Sequence, residues 1–490
     1  MQIKESWMYR QDDRMTRGVW VHSLSAILLA TAAFACAKTE GTPKAGDSTL
    51  ASSACAGGNG GLVLPDGFCA TVFADSIGHA RHIAVNSNGD VYVNTWSGAY
   101  YQTPAHPGGF LVAARDTDRD GRADVIVRFG ANAAQAAAAA QSADSTSTAP
   151  QSSTGPASEK SGKGGTGIGF YKGYLYVEEG SSIVRYPLPS DSLKFSATPE
   201  TIVSGLPLSG DHPMHPFAID ASGMMYVDLG SASNSCQIKN RTLESPGHKP
   251  CTELQTRGGI WRYDANKTNQ RFSPAERYAT GIRNAVGIAI GPDGGVYSTQ
   301  HGRDQLFDNW PKLYTSVQGQ NLPAEELLKI EQNADYGWPM CYYDGGQQKL
   351  VQAPEYGGDG GKSVGDCGSK RTPIGFYPAH WAPDGLLFYT GNSFPAHYKG
   401  GAFIAFHGSW NRAPGPQGGY VVAFVPFAGA NPATPSGYET FADGFAGGKM
   451  QPDAAAHRPV GLAQGPDGAL YITDDKAGRV WRVVYKGSTK

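Results

Sequence analysis

Apolar residues recur along this chain in pairs of short runs, each pair joined by a tight polar turn. The clearest pair lies between Gly281 and Asp304. Val286-Gly287-Ile288-Ala289-Ile290 meets the turn Pro292-Asp293-Gly294, and Val296 and Tyr297 begin the return run. A short apolar run, a Pro-Asp-Gly turn and a second β-rich run predict a β-hairpin. Aligned on the turn glycine, the pattern returns at His82 to Val93, Pro216 to Val227 and Val460 to Ile472. Looser copies run from Gly167 to Val177 and through a segment ending Gly401-Ala402-Phe403-Ile404-Ala405. Repeats spaced by tens of residues, each a hairpin core, predict an all-β fold of radial blades. Six copies predict a six-bladed β-propeller. Their uneven spacing predicts long inter-blade loops.

The polar residues at the ends of these runs carry the candidate chemistry. In a hairpin, the start of the first strand and the end of the second lie at one edge. Arg283 and Asn284 are therefore expected beside His301, Gly302 and Arg303. In the same register His212 matches Arg283, His407 matches His301 and Arg458 matches Asn284; His79 and Arg81 fall close by. Arg81, His212, Arg283, Asn284, His301, His407 and Arg458 should thus converge on one mouth of the central channel. Three arginines suit a ligand with several carboxylates, which a planar guanidinium pairs in a fork. A neutral histidine beside such a ligand is a natural general base. No serine elbow, Cys–His pair or phosphate-binding glycine loop stands out, so a bound cofactor is expected to carry the hard chemistry.

Composition agrees with the hairpins: 65 of 490 residues are glycine and only 17% are charged, as many tight turns and few amphipathic helices require. The net charge of −2 supplies no basic field, which argues against nucleic acid as a partner. Arg10, Arg14 and Arg17 precede an apolar stretch from Leu24 to Ala35 that ends Ala33-Phe34-Ala35-Cys36. Residues 1–35 are therefore read as a secretory signal peptide, 36–61 as a flexible tether and 62–490 as the propeller, its first blade starting near Leu62. Cys36, directly after the cleavage site, resembles a bacterial lipoprotein acceptor. Plain export to the periplasm and a lipid tether on the cell envelope both stay open. No later run is long and apolar enough to span a bilayer. Export makes disulfides the expected state of the other six cysteines, which fall into the local pairs Cys55–Cys69, Cys236–Cys251 and Cys341–Cys367. Residues 131–165 form a low-complexity insertion. Asp116 to Asp124 resembles the opening of an EF-hand loop, but Val127 stands where the twelfth-position Glu is expected, and an acidic turn is the plainer reading.

Five pieces together resemble the soluble pyrroloquinoline-quinone-dependent sugar dehydrogenases of the L-sorbosone and pyranose branch. They are Gly281-Ile282-Arg283-Asn284, Gln300-His301-Gly302-Arg303-Asp304, Asp335-Tyr336-Gly337-Trp338-Pro339, His407-Gly408-Ser409-Trp410-Asn411-Arg412 and Arg458-Pro459. The resemblance covers roughly Leu62 to Val484. It implies a quinoprotein dehydrogenase that oxidises a sugar or related aldehyde by hydride transfer to calcium-bound pyrroloquinoline quinone. In that scheme His212 takes the proton from the sugar hydroxyl and Arg283 polarises the quinone. Asn284, His407 and Arg458 hold it, joined by Arg81, His301, Trp410 and Arg412. A calcium ion lies at the Gly302-Arg303-Asp304 turn, bound partly through main-chain oxygens. An external electron acceptor, a separate cytochrome or quinone, completes the cycle. His215 rivals His212 as the base. The glucose-oxidising members carry Gly-Pro where this chain has Gly302-Arg303 and a second Arg where it has Val460, so the sorbosone and pyranose branch is the nearer match. The alternative is a non-enzymatic extracytoplasmic propeller that binds glycan or protein partners.

Overall fold

Each of the six predicted hairpins forms the inner half of a sheet. In the computed structural model, the described residues are 58–96, 108–130, 164–189, 198–427 and 437–487, with Cys55, His106, Ser192, Leu193 and Phe195. Five blades follow in chain order. The first holds Ala80–Val85, Val91–Thr95, Leu111–Arg115 and Val125–Phe129. The second holds Ile168–Tyr171, Tyr174–Glu179, Ser182–Pro187 and Glu200–Ser204, with Gln270–Arg271 added in parallel at its outer edge. The third is Phe217–Ile219, Met224–Leu229, Gly259–Asp264 and Arg277–Thr280; the fourth is Ile288–Ile290, Val296–Gln300, Glu325–Ile330 and Gly375–Tyr377. The fifth is Pro383–Phe388, Ala402–Phe406, Val421–Val425 and Glu439–Ala442.

The sixth blade corrects one expectation. Its inner strands are Pro459–Gln464, Leu470–Asp474 and Val480–Tyr485, and its outer strand is Phe68–Ala74. The residues just after Leu62 therefore close the last blade rather than open the first. Pairing the earliest strand with the latest one ties the ring shut and leaves no unpaired seam between first and last blades. The innermost strands of neighbouring blades touch all the way round, from Ala80–Val85 through to Pro459–Gln464 and back.

Burial follows position in the blade. Second strands such as Val91–Thr95, Ala402–Phe406 and Leu470–Asp474 are buried throughout, because a neighbouring blade covers each face. The outer strand Val125–Phe129 begins exposed. The core is accordingly divided: six apolar clusters each join two adjacent blades. Polar residues that continue past the buried strands emerge at the channel, which is what gathers the site.

All three expected disulfides are formed, Cys55–Cys69, Cys236–Cys251 and Cys341–Cys367. The signal segment, Cys36 and the insertion as far as residue 163 lie outside the described residues. Among the described residues no helix is long and apolar enough to cross a membrane.

Candidate active site in the central cavity

A cavity of about 510 Å³ opens where the inner strands end, within the range of about 300–1,000 Å³ usual for small-molecule sites. The register argument holds for its wall. Arg81, His212, Arg283, Asn284, His301, Gly302, Asp304, His407, Trp410 and Arg458 all line it. Arg303 and Arg412 do not.

His212 is 9% exposed. Its Nδ1 lies 2.9 Å from the Ser231 carbonyl oxygen and 3.0 Å from Ser231 Oγ. A carbonyl only accepts, so Nδ1 carries the proton and Nε2 keeps its lone pair. Burial, and after it the Arg283 guanidinium, push the pKa of His212 well below the ordinary imidazole value. The ring is a neutral base with one nitrogen anchored. His215, the sequence-level rival, is turned elsewhere: its Nε2 meets the Pro207 carbonyl at 2.9 Å and its Nδ1 lies 3.2 Å from Glu178.

Arg283 is more heavily engaged than its expected role suggests. Nε donates to the Asn234 carbonyl, Nη1 to the Gly302 carbonyl, and Nη2 to both Asn234 Oδ1 and Asp304 Oδ2, at 2.8 to 3.0 Å. Most of the fork therefore braces the cavity wall. Asn234 is the hub behind it. Its Oδ1 also accepts the Asp304 amide, its Nδ2 donates to the Asp304 carbonyl, and its carbonyl accepts Trp338 Nε1 at 3.0 Å. The Tyr336-Gly337-Trp338-Pro339 run thus supports the site from behind. Asp304 meets Arg283 at 2.8 Å and Arg241 at 3.1 Å. Against its burial, these two guanidinium groups hold its carboxyl well below the usual carboxylate range.

Gly302 has a steric reason to be glycine. A Cβ there would stand 2.8 Å from Pro323 Cγ and 3.1 Å from the Ala324 carbonyl. Its amide donates to Glu325 Oε2 at 2.8 Å, and the Ala382 amide donates to Glu325 Oε1 at 3.1 Å. Burial raises the pKa of Glu325 to about 7. Of the predicted metal turn, Gly302 and Asp304 reach the cavity. The Arg303 side chain points behind it, where its guanidinium pairs with buried Glu355. Asp304 is already occupied on both oxygens, since Oδ1 accepts Asn411 Nδ2 at 2.7 Å.

Across the cavity two histidines stand on buried aspartates. His301 Nε2 lies 3.0 Å from Asp384 Oδ1, and His407 Nε2 lies 2.7 Å from Asp475 Oδ1. Arg81 bridges the two carboxylates at 3.3 and 2.7 Å. Burial alone would lower the His301 pKa, but Asp384 and Glu325 outweigh it and raise it. Arg458 differs from the other arginines of the wall. Among the described residues its guanidinium donates to the His407 and Gly408 carbonyls alone, at 3.0 and 2.7 Å, and rests over Tyr420. Asn284 Oδ1 is buried without a hydrogen-bond partner among the described residues.

The expected cationic mouth is therefore nearly balanced. The cavity is lined by Arg81, Arg241, Arg283 and Arg458, and also by Asp211, Asp304, Glu325 and Asp384. Buried cations need partners, since an unpaired one costs several kcal/mol of desolvation, roughly. Of these carboxylates only Asp304 belongs to a turn the sequence marks; Asp211, Glu325, Asp384, Arg241 and His380 carry no such mark. Asp475 had a readable signal, because it occupies the same second-strand end as His301 and His407. Asp384 resembles a turn residue in Pro383-Asp384-Gly385, and Arg241 is delivered by the disulfide-closed loop.

Arg412 ties loops together outside the cavity. Its guanidinium donates to the carbonyls of Gln320, Ala379 and Pro416 and to Asn321 Oδ1. Away from the channel, Asp116, Asp118 and Asp120 bring carboxylate oxygens within 4.8 Å of one another. Asp116 already accepts the amides of Arg119 and Gly121, which closes the acidic turn.

A six-bladed propeller with histidines, arginines and carboxylates gathered at its channel mouth defines a class of enzyme-like propellers. The chain belongs to the TrAA12-like family, whose pattern it matches over residues 111–486, and the family resemblance read from the sequence is borne out. A pyrroloquinoline quinone-dependent pyranose dehydrogenase of Coprinopsis cinerea is 28% identical over 239 residues, 41% of this chain and 30% of that protein. The chain spans about half or less of the curated relatives it matches. Among solved structures, a calcium structure of a Trichoderma reesei carbohydrate-active enzyme of family AA12 superimposes with a TM-score of 0.64 at 19% identity, covering 87% of this chain and 97% of that one. The holo pyranose dehydrogenase PQQ domain of Coprinopsis cinerea gives 0.63 at 18% identity, covering 86% and 97%.

Proposed function

We propose that this protein is a quinoprotein dehydrogenase that oxidises a pyranose or related aldose with pyrroloquinoline quinone and calcium. The single observation that carries the reading is His212: a buried neutral imidazole, its Nδ1 anchored on Ser231, lining a cavity that also holds Arg283 and Arg458. Family membership and the Coprinopsis relative support the same reading.

The donor set suits that cofactor. Arg458, whose guanidinium forms no direct ion pair among the described residues and feels Asp475 only at longer range, is fitted to a ligand carboxylate. The partnerless Oδ1 of Asn284 and the Gly302 carbonyl are oxygen ligands of the kind calcium takes. His407 and Arg81, fixed by Asp475 and Asp384, frame the same wall. When bound, the quinone supplies the two-electron acceptor that no side chain here provides.

The protein's own part is proton transfer, orientation and field. His212 Nε2 takes the proton of the anomeric hydroxyl, which lets the C1 hydrogen leave with its electron pair and the sugar become a lactone. Ser231 keeps the ring in the tautomer this requires. Arg283, held in place before substrate arrives, provides positive charge where negative charge develops. The three disulfides favour an oxidising compartment, in keeping with export. A separate cytochrome or quinone would reoxidise the protein.

Reconstitution tests the reading. Apoprotein given pyrroloquinoline quinone and calcium should reduce an artificial electron-accepting dye with at least one aldose. Magnesium should serve poorly, because it demands a tighter octahedral shell. Quinone binding without dye reduction across an aldose panel would overturn the dehydrogenase reading in favour of a binding propeller.

A further inference from the structure

We propose that a second cavity, walled by cysteines of the Cys236–Cys251 and Cys341–Cys367 disulfides, binds a small benzoquinone-type electron acceptor, and that electrons reach it from the channel by way of Trp338. The proposal rests on the dehydrogenase reading and supplies its second half-reaction.

This cavity measures about 360 Å³, again within the range usual for small-molecule sites. Met340, Tyr356 and the bridged Cys251, Cys341 and Cys367 form its walls. Tyr356, Cys341 and Cys367 are at most 6% exposed, whereas His248, Lys249 and Asp366, which also line it, are exposed and mark its rim. The disulfides fix the walls by tying both contributing loops down. Lys249 Nζ donates to the Tyr356 carbonyl at 3.4 Å and lies 6.0 Å from the centre of the Tyr356 ring.

The cavity adjoins the channel through the wall that Arg283 braces. Between them lies a space of about 20 Å³, room for about one water. Arg283, His301 and Gly302 of the channel line it, together with Trp338 and with Cys341 of the second cavity. Hydrogen bonds run the same way. The Asn234 carbonyl accepts from Arg283 Nε and from Trp338 Nε1, both at 3.0 Å, and the Gly337 carbonyl accepts the Cys341 amide at 2.8 Å. A buried indole and one hydrogen-bonded turn therefore stand between the two spaces.

The lining selects a ligand. A flat ring meets an aromatic ring, a thioether and disulfide sulfurs, all polarisable partners for a π face. Lys249 and His248 offer donors for carbonyl oxygens, and Asp366 accepts from hydroxyls. A quinone needs the first and its hydroquinone the second, so both redox forms find partners. A soft metal ion is ill served, because the three cysteines are bridged and offer no thiolate. A cytochrome is too large to enter.

Two electrons cross from the reduced cofactor in the channel to the benzoquinone. The benzoquinone also takes two protons from solvent at the rim and leaves as a hydroquinone, each C=O having become C–OH. The two protons of the reduced cofactor leave at the open channel mouth. Acceptor and sugar then use separate entrances.

The test uses tetramethyl-p-benzoquinone, whose fully substituted ring does not alkylate Lys249, with wild type, Lys249→Ala and Met340→Trp, the last chosen to fill the cavity. Calorimetry should show one site in wild type, retained when pyrroloquinoline quinone and calcium are bound. Lys249→Ala should weaken it at least about tenfold and Met340→Trp should abolish it. In turnover both variants should raise KM for the acceptor, while KM for the sugar and anaerobic reduction of the bound cofactor by sugar change less than about twofold. Trp338→Phe should slow reoxidation by the benzoquinone more than reduction by sugar; equal slowing would overturn the route and leave Trp338 a brace for Arg283. No binding to wild type, binding lost when the channel is loaded, or binding indifferent to both cavity variants would overturn the site. Should Met340→Trp not fold, Lys249→Ala, an exposed position, decides alone. If no aldose reduces the bound cofactor, the dehydrogenase reading fails, and the calorimetry still upholds or refutes the quinone site.

Discussion

His212 Nδ1 donates to the Ser231 carbonyl oxygen at 2.9 Å, and this one bond decides which nitrogen can act as base. His212→Gln is expected to lower turnover by about 10²–10⁴ with little change in quinone affinity. Ser231→Ala removes the Oγ contact but keeps the carbonyl, and should cost less than about tenfold, or about 1.4 kcal/mol. The pKa direction adds a second readout. Burial and Arg283 keep His212 deprotonated well below the ordinary imidazole range. In the free enzyme, kcat/KM should therefore show no loss on an imidazole-like step near pH 6.5 and should fall only at more acid pH. A step at 6.5 that disappears in His212→Gln would refute this picture.

Arg283 couples activity to structure, because its fork is shared between Asn234, Gly302 and Asp304. Breaking a buried pair from one side costs about 3–5 kcal/mol, so Arg283→Ala should be strongly destabilised in urea. Arg283→Lys keeps the charge and loses the planar fork. It should lower the melting temperature less, yet reduce turnover per folded, quinone-loaded molecule at least about tenfold. A lowered melting temperature with unchanged turnover would leave Arg283 only a brace between blades.

The contrast between those residues shows how far the sequence could be read. Hairpin register carried His212, Arg283, Asn284, His301, His407 and Arg458 to one mouth, because strand periodicity fixes which ends meet. The same logic failed for the counter-charges. Asp384 lies in what resembles a turn, and Glu325 lies on a third strand, outside the repeated hairpin. Asn234, the hub behind Arg283, sits in a loop with no period at all. Closure by Phe68–Ala74 was hidden for a related reason: its partner Val480–Tyr485 is at the far end of the chain. Local patterns fix strands and their edges, while partners brought by long loops are set by tertiary packing.

The Cys236–Cys251 disulfide closes the loop that brings Arg241 to the cavity. A closed loop of about fifteen residues contributes around 3 kcal/mol, roughly. The double variant Cys236→Ser/Cys251→Ser should be destabilised by about that amount. It should also lose the Arg241 contacts to Asp211 and Asp304. Sugar KM is then expected to rise more than in Cys341→Ser/Cys367→Ser, whose loop contributes no residue to the cavity wall. Equal effects of the two double variants on KM would show that the first loop acts only on stability.

Glu326 makes stability depend on pH in a direction that can be worked out. It is 3% exposed, its Oε2 has no hydrogen-bond partner among the described residues, and burial raises its pKa from 4.5 to about 8. Between those values the folded protein keeps a proton that the unfolded chain releases. The stabilisation is fully present below pH 4.5 and is lost as pH rises through about 8. Asp228, pushed up to about 8, and Glu325, pushed up to about 7, act in the same direction. Histidines with lowered pKa, such as His212 and His82, oppose this only toward acid, where the unfolded imidazole takes up its proton. Above neutrality the carboxyls should dominate among these groups, so the urea midpoint of the apoprotein should fall from pH 7 to pH 9. Glu326→Gln imitates the protonated form at every pH. Its midpoint should therefore decline less steeply over the same interval. Parallel slopes for wild type and variant would mean that Glu326 is already ionised at pH 7, and that its buried surroundings beside Gln300 tolerate a charge.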